Sequence, residues 1–135
     1  MSNKIVEIVD IIDTSQVFTE LSDAQSGGIC VFVGTVREFT QNEKVMSLEF
    51  ETYKKMALKE MDKIATDAVE KWNLNKVIIR HAVGLKTVED PVVVVGASSA
   101  HRDACCEACR YLIDTLKETV PIWKKEVFEN KTVWV

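Results

Sequence analysis

Two basic residues, His101 and Arg102, follow a serine pair at the predicted start of a helix. A helix N-terminus carries unpaired N–H groups and a partial positive charge, so it favours acidic neighbours over basic ones. A basic pair at this position is explained if an anion, such as a phosphate, binds in front of the helix. The alternative is that both side chains simply extend into solvent.

Four further basic residues could complete such a site. Arg37 falls at the end of a predicted strand, and Lys117 falls at the far end of the helix that begins near His101. Lys124 and Lys125 come just after that helix. Each charge alone is explained as a solvated surface residue, but the set indicates an acidic, phosphorylated substrate.

Composition limits the kind of protein that can carry this cationic set. The 135 residues, 47% hydrophobic and 28% charged, predict one soluble domain with its own core. A formal net charge of -4 argues against a general nucleic-acid binder, so the cations must form a local pocket. No apolar run reaches membrane-spanning length, and no signal peptide is recognisable. We therefore expect a cytoplasmic protein, and its cysteines (Cys30, Cys105, Cys106 and Cys109) fit a reducing compartment.

The other candidate motifs are weaker. Cys106 and Cys109 have C-x-x-C spacing, which is compatible with a redox dithiol or half of a metal site. No second cysteine or histidine pair stands at ligand spacing, so we interpret these cysteines as core packing. The serines before His101 lie too close to it in sequence to arrange a nucleophile, a base and an orienting group. His81, next to a predicted strand, is interpreted as structural.

Hydrophobic periodicity predicts three helices. Residues 54–72 form the clearest amphipathic helix, and a second long helix begins near residue 101 and is stopped by Pro121. A short helix capped by Asp13 or Thr14 would precede them. The expected buried faces are, in chain order, Val17, Phe18 and Leu21; Ala57, Met61, Ile64, Ala65, Ala68 and Trp72; and Cys105, Ala108, Cys109, Leu112 and Leu116.

Strands are predicted over residues 4–12, 29–33, 45–51, 76–82, 92–95, 122–128 and 132–135. The run 29–33 is continuously apolar and is predicted to be buried, whereas 45–51 alternates and is predicted to be half-buried. Residues 38–44 are predicted as a polar hairpin loop, and a turn at Gly84 begins a loop to Pro91. The order of elements predicts an α+β fold with a mixed, mostly antiparallel sheet and two long helices, rather than a doubly wound parallel sheet.

Three motifs together resemble the large, catalytic subunit of molybdopterin synthase. They are F-V-G-T-V-R at residues 32–37, S-S-A-H-R at 98–102 and L-K-E-T-V-P-I-W-K-K-E at 116–126. The similarity runs from about residue 28 to 126, with the motifs in the family's order and spacing. One departure is T-V-E-D-P at residues 87–91, where the family often has a Gly-Asp turn.

The resemblance implies an α/β-hammerhead fold and a sulfurtransferase of molybdenum cofactor biosynthesis. Such enzymes convert cyclic pyranopterin monophosphate into molybdopterin. The sulfur arrives as a thiocarboxylate on the C-terminal Gly-Gly tail of a separate small, ubiquitin-like subunit. The family assembly is a heterotetramer, in which a central homodimer of large subunits carries a small subunit at each end. The resemblance implies no metal and no cofactor in this site, because molybdenum enters the pathway later.

The resemblance also assigns roles to the cationic set. It makes Lys117 and Lys124 the catalytic candidates, the first for proton transfer and the second for stabilising negative charge or helping to open the cyclic phosphate. The substrate-binding candidates are Arg37, His101, Arg102, Lys125 and Glu126. The alternative is a non-catalytic module that binds a ubiquitin-like tail or a phosphorylated ligand, which would not need both lysines.

Helix geometry adds a constraint on this site. His101 and Arg102 begin the helix that carries Lys117 near its other end, which separates them by more than about 20 Å. One small substrate cannot easily reach both ends. A two-fold axis can place one chain's helix start beside the other chain's helix end, so the sequence predicts a site shared between two chains.

Overall fold

Helices and strands alternate along the chain in the computed structural model, which describes residues 3–135. The strands are β1 (Lys4–Val9), β2 (Gly28–Thr35), β3 (Phe39–Thr40), β4 (Glu43–Thr52), β5 (Lys76–Ala82), β6 (Gly84–Lys86), β7 (Pro91–Ser99), β8 (Ile122–Phe128) and β9 (Thr132–Trp134). The helices are α1 (Val17–Leu21), α2 (Lys54–Trp72) and α3 (Arg102–Thr119), and a 3-10 turn (Thr14–Gln16) precedes α1.

The strands form two sheets. The first has the order β1-β5-β7-β2, in which only the β1–β5 pair is parallel. The second has the order β3-β4-β8-β9, with β6 also paired to β4, and all of its pairs are antiparallel. The prediction of an α+β fold with a mixed, mostly antiparallel sheet and two long helices is confirmed.

The two long helices follow their predicted faces. On α2 the expected face from Ala57 to Ala68 is buried, with Trp72 packed at its edge. Asn73 then ends α2 in the left-handed conformation, with φ 52°. On α3 every expected core residue is buried, and the helix ends at Thr119, ahead of Pro121, which cannot continue it. Both helices pack together over the first sheet.

Strand β7 is longer than predicted, because it lies between two neighbours that pair with it up to its last residues. Ser98 pairs with both Lys76 of β5 and Ile29 of β2. Gly96 allows a close approach from α1, since a Cβ there would lie 2.7 Å from Leu21 Cδ1. The serine pair is therefore part of the strand, and the turn that follows delivers His101 directly to the start of α3.

Several sequence expectations are wrong in detail. Strand β2 was expected to be buried, yet the side chains of Val31, Phe32 and Val33 are 37–40% exposed, because β2 is the edge strand of its sheet. Phe18 is 71% exposed, since the single turn of α1 turns only Val17 and Leu21 inward. The first strand ends at residue 9 rather than 12.

The second sheet also departs from the expected pattern at two places. An irregularity between Val45 and Ser47 interrupts the alternation of β4, so Val45 and Leu48 are both buried while Met46 is exposed. The predicted loop after Gly84 contains the short strand β6, which pairs with β4. The predicted hairpin at residues 38–44 is present, with its turn at Gln41 and Asn42, both at positive φ. No helix within residues 3–135 is long and apolar enough to cross a membrane.

Candidate functional site

A cavity of about 700 Å³ lies between the second half of α3, the first half of β8 and the end of β2. Three basic residues line it, namely Arg37, Lys117 and Lys124, and His81 of β5 lines it as well. Most of the remaining lining is apolar and comes from β2, β4, β7, α3 and β8. The structure thus brings together three of the seven predicted site residues within one chain.

A different element positions each of the three cations. Lys117 lies in the last turn of α3, where the negative end of the helix dipole favours a cation. Lys124 shares the inner face of β8 with Ile122 and is paired with Phe50 of β4. Arg37 follows the irregular end of β2, and its position is fixed by the buried neighbour Val36.

Both backbone polar groups of Val36 are hydrogen-bonded. The N–H of Val36 donates to the carbonyl oxygen of Asp90 at 3.1 Å, and the Val36 carbonyl oxygen accepts from the N–H of Glu89 at 2.9 Å. Glu89 adopts a positive φ of 77° at this point. The T-V-E-D-P segment at residues 87–91 therefore supports the backbone that carries Arg37.

The three cations have no acidic partner in the part of the chain that the structure describes. Of the ion pairs found within residues 3–135, none involves Arg37, Lys117 or Lys124. Their grouping around one cavity is the distinguishing feature, whereas a basic residue such as Arg80 is neutralised by Glu7 and Glu20. Uncompensated cations around a partly apolar cavity attract an anion, because Coulomb attraction strengthens as water is excluded. The arrangement can therefore bind a phosphate or carboxylate-like group.

His101 and Arg102 lie outside this cavity in the single chain. Both are exposed at the N-terminus of α3, and His101 makes no side-chain capping bond. Fifteen residues separate Arg102 from Lys117, which at 1.5 Å per residue corresponds to about 22 Å along the helix. The sequence predicted this separation, and the structure indeed places His101 and Arg102 away from the cavity of their own chain.

The turn that carries His101 and Arg102 is closely packed. The hydroxyl of Ser99 donates to the carbonyl oxygen of His101 at 2.5 Å and accepts from the N–H of Cys105 at 3.0 Å. Gly27 donates its N–H to the Ser99 carbonyl oxygen at 2.9 Å, and a Cβ on Gly27 would lie 2.4 Å from the backbone oxygen of Ala100. A glycine is thus needed where this loop crosses the turn.

The two remaining substrate-binding candidates also lie away from the cavity lining. The Lys125 ammonium is 3.6 Å from a Glu49 carboxylate oxygen and 5.1 Å from the centre of the Trp134 ring. Glu126 is buried, and its carboxylate accepts a hydrogen bond from the Thr40 hydroxyl at 2.8 Å. Both side chains have partners within the chain, and their substrate-binding role stays a prediction.

His81 is the lining residue that sequence reasoning did not select. The residue is 5% exposed, and its ring meets the Phe50 ring edge-on, with 5.2 Å between ring centres. Burial lowers the pKa of this imidazole, although its bond to the Ala82 carbonyl opposes the shift. Strand β5 is buried over nearly its whole length, so its sequence carries no alternation that would mark one residue as facing a cavity.

The cysteines have a separate, structural environment. All four are free thiols, with Cys105 and Cys109 buried on the predicted core face and Cys106 exposed. Burial raises the pKa of the Cys109 thiol to about 12, which keeps it protonated and unreactive. Within residues 3–135, no group of three or more histidine, cysteine or acidic side chains is placed to hold a metal ion.

Comparisons with known proteins agree on one family. The family model described as MoaE protein matches residues 8–119. The molybdopterin synthase catalytic subunit of Homo sapiens is 45% identical over 108 residues, which are 80% of this chain and 57% of that protein. The corresponding subunit of Drosophila erecta is 46% identical over 125 residues, 92% of this chain and 34% of that protein. The chain thus spans about a third to just over half of the length of these relatives.

A solved structure extends the likeness to the whole fold. The crystal structure of molybdopterin synthase from Staphylococcus aureus has 35% sequence identity and a TM-score of 0.91. The match covers 100% of this chain and 98% of that chain.

Proposed function

We propose, from the premise that this chain belongs to the MoaE protein family, that it is the catalytic subunit of a molybdopterin synthase. In this proposal it is a sulfurtransferase of molybdenum cofactor biosynthesis that acts in the cytoplasm. It converts cyclic pyranopterin monophosphate into molybdopterin by transferring sulfur from a thiocarboxylate. The observation that carries the proposal is a cavity lined by three cations, Arg37, Lys117 and Lys124, that have no acidic partner within the described residues 3–135.

The charge of the cavity suits the two reactants. The pterin substrate is anionic through its cyclic phosphate, and the thiocarboxylate is anionic as well. Two anions repel each other, so bringing them together requires a cationic and partly desolvated pocket. Arg37 and Lys117 are exposed in the single chain, so water leaves the cavity only as the reactants cover the apolar remainder of the lining. That loss of water strengthens the attraction between the cations and both reactants.

Each lysine then has a defined task. Lys117, at the end of α3, transfers a proton while sulfur adds to the pterin. Lys124, across the cavity on β8, stabilises the developing negative charge and assists opening of the cyclic phosphate. Arg37 grips the phosphate through its guanidinium, which can make two parallel hydrogen bonds. In each transfer the thiocarboxylate sulfur bonds to the pterin, and water then hydrolyses the bond between that sulfur and the acyl carbon. The donor tail leaves as a carboxylate that carries the water oxygen, and two such transfers supply the two sulfur atoms of the dithiolene.

The sulfur donor in this proposal is the Gly-Gly tail of a small, ubiquitin-like subunit. A tail of two glycines has no side chains, so it can approach the pterin within a cavity already lined by bulky residues. Its terminal negative charge is drawn to the same cations that hold the phosphate. The partner's globular part stays outside the cavity.

A second copy of the chain completes the site. The single chain leaves His101 and Arg102 about 22 Å from Lys117 along α3. The edge strand β2 exposes Val31, Phe32 and Val33, and it leads directly to the segment that carries Arg37. An exposed apolar edge suits a self-complementary contact between two chains. In the resulting homodimer, His101 and Arg102 of one chain anchor the substrate beside Arg37, Lys117 and Lys124 of the other, and a small subunit binds at each end.

The test is to measure dithiolene formation by Lys117→Ala with thiocarboxylated small subunit and cyclic pyranopterin monophosphate. We expect at least a hundredfold loss of turnover with the fold and the partner affinity unchanged, because general acid–base catalysis contributes about 10²-fold or more. Lys63→Ala, which removes an exposed lysine from α2, is the matched control and should turn over normally. Near-normal turnover by Lys117→Ala would remove this lysine from the mechanism, and tail binding without any product from the unsubstituted protein would favour a non-catalytic docking module.

A further inference from the structure

The buried imidazole of His81 is held in one orientation by its neighbours. Its Nδ1 lies 2.6 Å from the carbonyl oxygen of Ala82, a contact that requires a proton on Nδ1. The edge of the ring packs against Phe50. In the neutral ring a proton on Nδ1 leaves Nε2 as a hydrogen-bond acceptor.

That acceptor has no partner among residues 3–135. Within these described residues, the His81 side chain makes a single hydrogen bond, the one from Nδ1. In the same part of the chain, Ser98 Oγ is the one fully enclosed side-chain nitrogen or oxygen without a hydrogen bond, so Nε2 keeps some access to its surroundings. His81 lines the cationic cavity, so the cavity is the space beside this side chain that a ligand can enter.

The side chains that line the cavity are rich in donors and poor in acceptors. Lysine and arginine side chains donate hydrogen bonds but cannot accept them. Among the side chains that line the cavity, only Thr35 and His81 offer an acceptor, and Thr35 lies on the exposed end of β2. An anionic phosphate satisfies the cations. A reduced pterin ring also carries N–H and amino donors, and these need an acceptor once they leave water.

We propose that His81 Nε2 accepts a hydrogen bond from an N–H group of the bound pterin ring and so selects the ring's orientation. This inference rests on the proposed function, and it assigns the heterocycle to His81 and the phosphate to the cations. The neutral imidazole and the cations favour different ends of the substrate. The phosphate gains nothing from the lone pair of Nε2, whereas an N–H of the pterin ring can donate to it. The bound ring is thereby fixed with its reacting carbons toward the sulfur donor.

Two substitutions separate this role from a structural one. His81→Asn can keep a donor for the Ala82 carbonyl, but its side chain ends short of the Nε2 position. His81→Gln gives up that donor, but its amide oxygen reaches the Nε2 position. A structural role depends on the donor to the Ala82 carbonyl, which His81→Asn keeps. The proposed role depends on an acceptor at the Nε2 position, which His81→Gln keeps.

We expect His81→Asn to raise KM for the phosphate-bearing pterin roughly three- to tenfold, the range for one hydrogen bond, with a smaller change in kcat. His81→Gln should stay within about twofold of the unsubstituted protein. Competitive inhibition by inorganic phosphate should be unchanged in both variants, because the cations are intact. A normal KM in His81→Asn, or equal losses in both variants, would overturn the inference.

A measurement on the unsubstituted protein covers the case in which a variant fails to fold. The chain contains only two histidines, His81 and His101, so 15N-labelled imidazole signals are assigned with the single variant His101→Asn. Adding the phosphate-bearing pterin should shift the Nε2 signal of His81, and adding inorganic phosphate should not. A His81 signal that is unmoved by saturating pterin would overturn the inference.

The two proposals can fail separately. If Lys117→Ala abolishes turnover while His81→Asn behaves normally, the sulfurtransferase proposal stands and the role of His81 is wrong. If the labelled protein binds pterin through His81 but never forms dithiolene, the ring-binding role stands and the sulfurtransferase proposal is wrong.

Discussion

A shared active site can be tested by mixing two inactive variants. Arg102→Ala removes an anchor at the start of α3, and Lys117→Ala removes the proposed proton donor near its end, about 22 Å away. If each site takes Arg102 from one chain and Lys117 from the other, a mixed dimer carries both lesions in one site and none in the other. Each variant alone should be inactive.

The expected recovery follows from counting sites. Equal amounts of the two variants, once exchanged at random, give about half mixed dimers, and each has one intact site of two. About a quarter of the unsubstituted turnover per site should therefore return. The assay is molybdopterin formation after dimer exchange, with mixed dimers quantified by distinct affinity tags.

A second pair of variants provides the control. Arg37→Ala and Lys117→Ala alter residues that line the same cavity of one chain, so every site of their mixed dimer carries one lesion. This mixture should stay inactive. Mixed dimers of Arg102→Ala and Lys117→Ala that form and show no turnover would refute the shared site, since each pocket would then belong to a single chain.

Three further outcomes follow from the environments described above. Replacing Cys105, Cys106 and Cys109 of α3 by alanine should lower the free energy of unfolding in urea by about 1 kcal/mol or more per buried site. Turnover should remain in the folded fraction, and inactivity of a folded, dimeric variant would indicate a thiol role. Burial lowers the pKa of His81 below the unfolded value near 6.5, so the stability from the neutral ring is present above pH 6.5 and is lost as pH falls through the folded pKa. Urea unfolding should show a steeper loss below pH 6.5 in the unsubstituted protein than in His81→Gln, and parallel curves would contradict this. Gly27→Ala should displace the turn at Ala100 and raise KM for the pterin, because the new Cβ would meet a backbone oxygen at 2.4 Å; an unchanged KM would mean that this turn is not needed for binding.

Sequence periodicity predicted the elements whose burial is one-sided or complete. The helix at residues 54–72 and the strand at residues 76–82 have the predicted bounds, and the family match confirms the resemblance drawn from three motifs. Periodicity failed at β2, whose apolar run is typical of a buried strand but lies at a sheet edge. Apolarity alone cannot distinguish residues buried within the core from apolar residues exposed on an edge strand.

Three of the residues that line the cavity could be selected from the sequence, and His81 could not. Arg37, Lys117 and Lys124 could be selected because basic residues beside apolar runs stand out in a sequence. Lys125 could not be distinguished from Lys124, because only the register of β8 shows that Lys125 points to the face opposite the cavity, toward Glu49. His81 was hidden within a fully buried strand, and its cavity is formed by elements far apart in the chain.

A structure with bound cyclic pyranopterin monophosphate tests the central claim most directly. We expect its phosphate within hydrogen-bond distance of Arg37, Lys117 or Lys124, inside the cavity between α3 and β8. The chain also has a groove of about 790 Å³ whose charged residues include Asp10, Glu49 and Glu51, and these acids should repel the ligand. A substrate bound in that groove, or anywhere away from Lys117 and Lys124, would contradict the account.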